Sequence, residues 1–183
     1  MSRIQALDLA QAPAPARSAL NAVQASLGTT PNLFRVTAHS PAALDALVAA
    51  IGALSKGTIS APTREAIALT VAEANGCGYC LSAHAALGAG AGLSQTDIED
   101  ARHGLAIDDK VNAMLTFSRT LVIGRGHVTS SDVEQLRRAG VTNGEIVEIV
   151  ANVALNIFTN YLNLTADTEI DFPVVRVGLP IAA

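Results

Sequence analysis

The chain has 183 residues, a length typical of a single domain, and half of them are hydrophobic while only 3% are aromatic, a composition that favours helices packed through small side chains. Only 15% of the residues are charged, so we expect some apolar surface to be buried between subunits. The net charge of −4, without a basic run, argues against nucleic acid as a partner. No uncharged apolar stretch reaches the roughly 18 residues of a membrane span, and no secretion signal opens the chain, so we expect a cytoplasmic protein without a membrane partner.

Capping residues and glycines divide the chain into a series of predicted helices. Their starts carry Ser, Thr or Asp, often with Pro or an acidic residue in the first turn, and their ends carry Gly or Asn-Gly. The predicted helices cover residues 16–27, 31–38 (entered through Thr30), 41–54, 60–74, 77–87, 108–123 and 142–167, with shorter ones beginning at Ser94 and at Thr129 or Ser131.

The two ends of the chain are predicted to be extended. Residues 10–15 alternate Ala and Pro, which indicates a stiff lead-in, and residues 170–183 contain Pro173 and Pro180 without helical periodicity. No segment alternates with period two for long enough to build a sheet. The sequence therefore predicts an all-α fold, a multi-helix bundle in one domain of residues 1–183, with extended arms at 1–15 and 170–183.

The chemistry of the chain is predicted to centre on its two cysteines, Cys77 and Cys80. They are too close for a structural disulfide framework, which leaves redox chemistry, a metal site or two inert thiols. Zinc would need two more ligands that the motif lacks, and attached haem would need His where Leu81 stands. Because the pair opens a predicted helix, where the dipole stabilises a thiolate, and Gly and Tyr stand between the cysteines, we favour an exposed pair that cycles between dithiol and disulfide.

A histidine and a carboxylate are predicted to accompany the cysteines. His84 lies four residues beyond Cys80, hence on the same helix face, where an imidazole relays protons at neutral pH. The preceding helix carries Glu65 and Glu73, and either could orient the imidazole; the phase of that helix favours Glu65.

The run from Ala72 to Cys80, with Glu65 before it and His84 after it, resembles the alkylhydroperoxidase D-like branch of the carboxymuconolactone decarboxylase family over residues 41–163. The resemblance implies an all-α homo-oligomer, a trimer or hexamer, that reduces hydroperoxides with thiols and needs no metal or organic cofactor. It also implies that an external dithiol, such as a lipoyl protein, is the reductant.

By position, the same resemblance implies a peroxidatic Cys80, a resolving Cys77, and a proton relay of Glu65 and His84. Some members carry a histidine between the cysteines where this chain has Tyr79. We therefore expect Tyr79 to donate a hydrogen bond or to shape the substrate pocket.

The last predicted helix carries a polar stripe of four asparagines, Asn152, Asn156, Asn160 and Asn163, at spacings of one turn. No charged residue lies between Ile149 and Ala166, which suits a semi-buried face. We hypothesise that the stripe contacts another subunit or lines the pocket near Cys80, with Asn156 and Asn160 as pocket residues; the alternative is an ordinary solvent-facing surface.

Together these features predict a thiol-dependent peroxidase or related oxidoreductase. Two other classes stay open. One is a carboxymuconolactone decarboxylase-like lyase acting on a small carboxylated lactone, in which the cysteines are incidental. The other is a non-catalytic helical module that holds zinc or an inert cysteine pair.

Overall fold

The computed structural model describes residues 2–178, and this part of the chain is helical without strands. It contains nine α-helices, which confirms the predicted all-α bundle. Their bounds are α1 Arg17–Leu27, α2 Asn32–Thr37, α3 Pro41–Leu54, α4 Ala61–Ala74, α5 Gly78–Gly90, α6 Gln95–Arg102, α7 Asp109–Ile123, α8 Ser130–Arg138 and α9 Asn143–Ala166.

Local capping accounts for most helix starts. Ser60, Asp108 and other predicted caps accept hydrogen bonds from backbone N–H groups of the first turn. Reciprocal capping boxes begin α6, α8 and α9. Thr30 is an exception, because α2 begins after Pro31 and the Thr30 hydroxyl instead donates to the side-chain oxygen of Gln24 at 2.8 Å.

Helix α4 forms the centre of the bundle and packs against α5, α6, α7 and α9. Its residues 66–72 are all buried, so the helix is enclosed on every side rather than amphipathic. The cluster around it includes both cysteines and Tyr79, so the reactive motif is part of the main core. A second, smaller core joins the N-terminal segment to α1, α2 and α3.

The N-terminal lead-in is less extended than its Ala-Pro alternation predicts. Residues Leu9–Gln11 and Ala14–Ala16 form single turns of 3-10 helix, and Asp8 caps the first by accepting from the backbone of Ala10. Ala12 and Ala16 are fully buried in the second core. Proline fixes a φ that suits a first helical turn as well as an extended chain, and small alanine side chains allow the close approach.

The predicted C-terminal arm is described as far as residue 178, and over residues 170–178, hereafter the C-terminal arm, it forms neither helix nor strand. Residue 1 of the predicted lead-in and residues 179–183 of the predicted tail lie outside the described residues. Within residues 2–178, no single helix is long and apolar enough to cross a bilayer; only α8 and α9 taken together have that length and composition, and they meet at an angle of 118°.

Candidate functional site

The cysteine pair lies at the tight turn between α4 and α5. Gly76 adopts a left-handed φ of +67°, which lets the chain reverse directly after α4, and the N–H of Cys77 donates to Ala72 at 2.9 Å. Cys77 is the N-cap of α5, where its Sγ accepts from the backbone N–H of Cys80 at 3.2 Å. The two cysteines form a disulfide, with their Cα atoms 5.4 Å apart. The predicted helix-start position of the pair is confirmed.

The predicted exposure of the pair is wrong, because only 1% of Cys77 and 2% of Cys80 is exposed. Asn163, near the end of α9, donates from Nδ2 to the Sγ of Cys80 at 3.3 Å. The C-terminal arm also lies against the turn, since a Cβ added to Gly78 would be 3.9 Å from Cδ1 of Ile170. Elements distant in sequence thus cover a motif whose own residues suggest an open helix end.

His84 and Glu65 form a direct pair beside the cysteines. The Nδ1 of His84 lies 2.8 Å from Oε2 of Glu65, and both side chains retain about a fifth of their surface exposed, at 21% and 23%. Glu73 faces a different partner, because its carboxylate accepts from Nε of Arg102 at 2.9 Å and from the N–H of Gly178 at 2.7 Å. Of the two predicted candidates, Glu65 is therefore the one that orients the imidazole.

A cavity of about 350 Å³ opens next to this pair. It is lined by Tyr79, Ala83, His84 and Leu87 of α5 and by residues of α9. At 100° per residue, Cys80 projects from the same face of α5 as these side chains, one turn before His84. The rest of the lining comes from α1 to α4, the loop between α1 and α2, and the C-terminal arm, with Ser55 at the end of α3.

The asparagine stripe of α9 is buried, so the solvent-facing alternative is wrong. Asn152 and Asn156 line the cavity, and each donates its Nδ2 to a carbonyl one turn back on α9, at 2.8 and 2.9 Å. Asn160 was predicted to line the cavity, but it does not. Its Oδ1 instead accepts a hydrogen bond from Nδ2 of Asn75 at 2.9 Å, next to the cysteine turn. The stripe thus spans from the cavity to the sulfur of Cys80.

Tyr79 is a cavity-lining residue with an occupied hydroxyl. Its oxygen accepts from the N–H of Leu33 at 3.0 Å, and its ring contacts Phe172 edge to face at 5.9 Å. Burial raises the pKa of Tyr79 far above its ordinary value of 10.0, and the hydrogen bond with Asp171 raises it further. The residue therefore stays neutral and joins α2 and the C-terminal arm to the start of α5.

Two further residues, Arg64 and Phe172, line the cavity without any signal in the sequence that predicts them. One arginine on a helix and one phenylalanine in a tail carry no local pattern. Among residues 2–178, no three His, Cys, Asp or Glu side chains are grouped closely enough to hold a metal ion. A larger cavity of about 460 Å³ lies between α4, α6 and α7. Neither cysteine lines either cavity, but His84 lines the smaller one, so we place the candidate site there.

Comparisons with known proteins agree with the all-helical fold. The sequence profile of the carboxymuconolactone decarboxylase family matches residues 38–123. A crystal structure described as the alkylhydroperoxidase AhpD core, an uncharacterized peroxidase-related protein from Ralstonia eutropha JMP134, is 27% identical, with a TM-score of 0.84 over 93% of this chain and 92% of that one. A peroxidase-related protein from Silicibacter sp. TM1040 is 25% identical, with a TM-score of 0.79 over 91% of each chain.

The same fold occurs in the debrominase Bmp8, crystallised in complex with 2,3,4-tribromopyrrole, at 20% identity and a TM-score of 0.79 over 92% of this chain and 91% of that one. A comparison with curated proteins finds no match.

Proposed function

We propose that the chain belongs to the alkylhydroperoxidase D-like branch of the carboxymuconolactone decarboxylase family and reduces organic hydroperoxides through a Cys77–Cys80 dithiol cycle. The observation that carries the proposal is the disulfide at the start of α5 together with the 2.8 Å pair of His84 and Glu65. A two-electron sulfur centre and a proton relay one helical turn away are the parts that peroxide reduction needs.

In the first step, the Cys80 thiolate attacks the terminal oxygen of the hydroperoxide ROOH. A sulfur–oxygen bond forms, the oxygen–oxygen bond breaks, and His84 or a water that it holds protonates the departing alkoxide to ROH. The Cys77 thiol then condenses with the Cys80 sulfenic acid, which forms the disulfide and releases water. The two sulfurs lose two electrons in total, and the peroxide gains them.

An external dithiol then returns the enzyme to its reduced form by thiol–disulfide exchange and is itself oxidised to a disulfide. A lipoyl group on a cytoplasmic partner protein has the required chemistry. The cycle uses sulfur for both electrons and the His84–Glu65 pair for protons, so we propose that it needs no metal or organic cofactor.

We also propose that the protein works as a homo-oligomer, a trimer or hexamer. Support comes from an exposed apolar stripe on α9, where large side chains recur at spacings of three or four residues around Ala154. They are Val147, Val150, Phe158, Tyr161 and Leu164. Such a stripe matches the packing surface of one helix on another.

A lyase acting on a small carboxylated lactone is the second candidate, and the match to the carboxymuconolactone decarboxylase profile favours it. In that case the cysteines take no part in the reaction, so Cys80→Ser would keep full activity. If the protein is instead a non-catalytic helical module, neither a hydroperoxide nor a carboxylated lactone should react in its presence.

The deciding experiment treats the fully reduced protein with one equivalent of cumene hydroperoxide and measures the intact mass. Wild type is expected to lose two hydrogens, and Cys77→Ser to gain one oxygen because the sulfenic acid cannot be resolved. Cys80→Ser is the matched control and is expected to keep its mass. An unchanged wild-type mass, with all thiols still titratable, would refute the peroxidase proposal.

A further inference from the structure

We propose that Arg64 makes the cavity beside His84 selective for organic hydroperoxides that carry a carboxylate. The inference rests on the proposed function and adds the substrate class to it. Two observations carry it: the apolar character of the cavity, and the charge of Arg64, which no acidic side chain among residues 2–178 matches.

The cavity suits an organic substrate rather than hydrogen peroxide alone. Its volume of about 350 Å³ is in the range of pockets that enclose small organic ligands. Most of its lining is aliphatic or aromatic. The large apolar side chains of the lining include Leu33, Phe34, Leu54, Leu155 and Phe172. A substrate that fills this space must therefore present a hydrocarbon body to these side chains.

Arg64 is the one permanent positive charge in the described lining. Its neighbour Glu65 is already paired with His84, and among residues 2–178 no acidic side chain forms an ion pair with Arg64. By contrast, the buried Arg102 is matched by the carboxylates of Glu73 and Glu99. A half-buried guanidinium beside an apolar cavity, with no carboxylate partner, favours an anionic ligand that binds it in bidentate fashion.

The other polar groups of the cavity carry no permanent positive charge. Asn152 and Asn156 each use one of their two Nδ2 hydrogens on a carbonyl within α9, and the hydroxyls of Ser55 and Thr159 donate to nearby backbone carbonyls. Neutral amides and hydroxyls bind a carboxylate more weakly than a guanidinium does. The preference of this cavity for an anion therefore depends on Arg64.

Helix geometry separates the anion site from the reacting groups. Arg64 and Glu65 are consecutive on α4, so their side chains diverge by about 100° around the axis. Glu65 turns towards His84, and Arg64 turns towards the start of α4, where its Nη1 donates to the carbonyl of Ile59. A ligand carboxylate on Arg64 thus leaves the face of α5 that carries His84 and Cys80 open to the hydroperoxide group.

The binding test uses two inert probes of the same shape, 4-isopropylbenzoate and 4-isopropylbenzyl alcohol, measured by titration calorimetry. Wild type is expected to bind the carboxylate roughly tenfold to a hundredfold more tightly than the alcohol. Arg64→Gln should abolish this preference, while Arg64→Lys keeps part of it because the charge remains. Arg138→Gln, which removes an exposed arginine on α8, is the matched control and should keep all of it.

The kinetic test compares cumene hydroperoxide with its 4-carboxy derivative, as a ratio of kcat/KM. The ratio should favour the carboxylated substrate in wild type and fall towards one in Arg64→Gln. Equal binding of the two probes by wild type, or a ratio that Arg64→Gln leaves unchanged, would overturn the inference. If Arg64-dependent carboxylate binding is observed but neither hydroperoxide is reduced, the anion site stands and the proposed peroxidase function falls.

Discussion

The side-chain amide of Asn163 donates to the sulfur of Cys80 at 3.3 Å, although 83 residues separate the two along the chain. Both residues are buried, and no protein group in the described part of the chain bonds to Oδ1 of Asn163. A donor directed at sulfur stabilises a thiolate more than a thiol. Each sulfur thus has a donor, because the N–H of Cys80 donates to Cys77 at 3.2 Å. The Asn163 contact supports the proposed role of Cys80 as the nucleophile.

Replacing Asn163 with the similarly sized Leu is expected to slow alkylation of Cys80 at pH 7 by about fivefold, since one hydrogen bond of about 1 kcal/mol is lost. The rate would be measured with iodoacetamide in a Cys77→Ser background, so that one thiol reacts. Asn152→Leu is the control, because Asn152 bonds only within α9. An unchanged rate in a variant that melts like wild type would contradict this role.

The pair of His84 and Glu65 should act as a unit. His84→Gln is expected to lower the rate of hydroperoxide reduction by about two to four orders of magnitude, the usual contribution of general acid catalysis. Glu65→Gln should lower this rate by a smaller factor, because Glu65 positions the imidazole without contacting substrate. In the His84→Gln background, Glu65→Gln should lower the rate of hydroperoxide reduction little further. If the two substitutions instead lower the rate by factors that multiply in the double variant, the coupling is refuted.

Burial of the disulfide predicts that its reduction is limited by opening of the C-terminal arm. Ile170→Ala removes apolar contact beside Gly78 and should speed reduction by external dithiothreitol by a few-fold to about tenfold, because local opening costs less. Val174→Ala changes an exposed side chain on the same arm and should leave the rate unchanged. If wild type, Ile170→Ala and Val174→Ala are reduced at equal rates, the C-terminal arm does not control access of the reductant to the disulfide.

The exposed stripe on α9 predicts an oligomer that a buried charge disrupts. Phe158→Glu should reduce the mass measured by light scattering to that of a smaller assembly or a monomer. Ile107→Glu introduces the same charge at another exposed apolar residue, outside α9, and is expected to keep the wild-type mass. A monomeric wild type would contradict the proposed assembly.

Glu148 links α9 to the loop before α4, and its contribution to stability should depend on pH. Its carboxylate accepts from the backbone of Thr58 at 2.9 Å and of Ile59 at 3.2 Å, and the Thr58 contact is the main reason that its pKa lies below the ordinary 4.5. A lowered pKa in the folded state contributes stability above pH 4.5 that is lost as the pH falls through the folded value.

Glu148→Gln should therefore lower the free energy of unfolding by at most about 1 kcal/mol at pH 7, since the carboxylate is largely solvated. The difference from wild type should shrink below pH 4.5. Urea unfolding at several pH values measures it, with Glu134→Gln on exposed α8 as the control. A difference that is constant with pH would mean that the charge of Glu148 is not responsible.

The sequence was sufficient to predict those features of the structure that depend on contacts between residues close together in the chain. The capping boxes of α6, α8 and α9 lie within four residues: α6 and α9 begin at the predicted Ser94 and Thr142, and α8 begins at Thr129, one of its two predicted starts. The N-cap position of Cys77 follows in the same way, and the resemblance to the family is carried by the short motif around it. The preference for Glu65 over Glu73 also followed from helix phase, which is a local property.

Tertiary structure alone decided the environment of that motif. The burial of Cys77 and Cys80, the contact of Asn163 with sulfur and the exclusion of Asn160 from the cavity depend on how α9 and the C-terminal arm pack on α5. The lack of an ion-pair partner for Arg64 among residues 2–178 is likewise a property of the tertiary structure. Such properties come from atoms far apart in sequence, and a local pattern of residue types carries no information about which distant group will cover it.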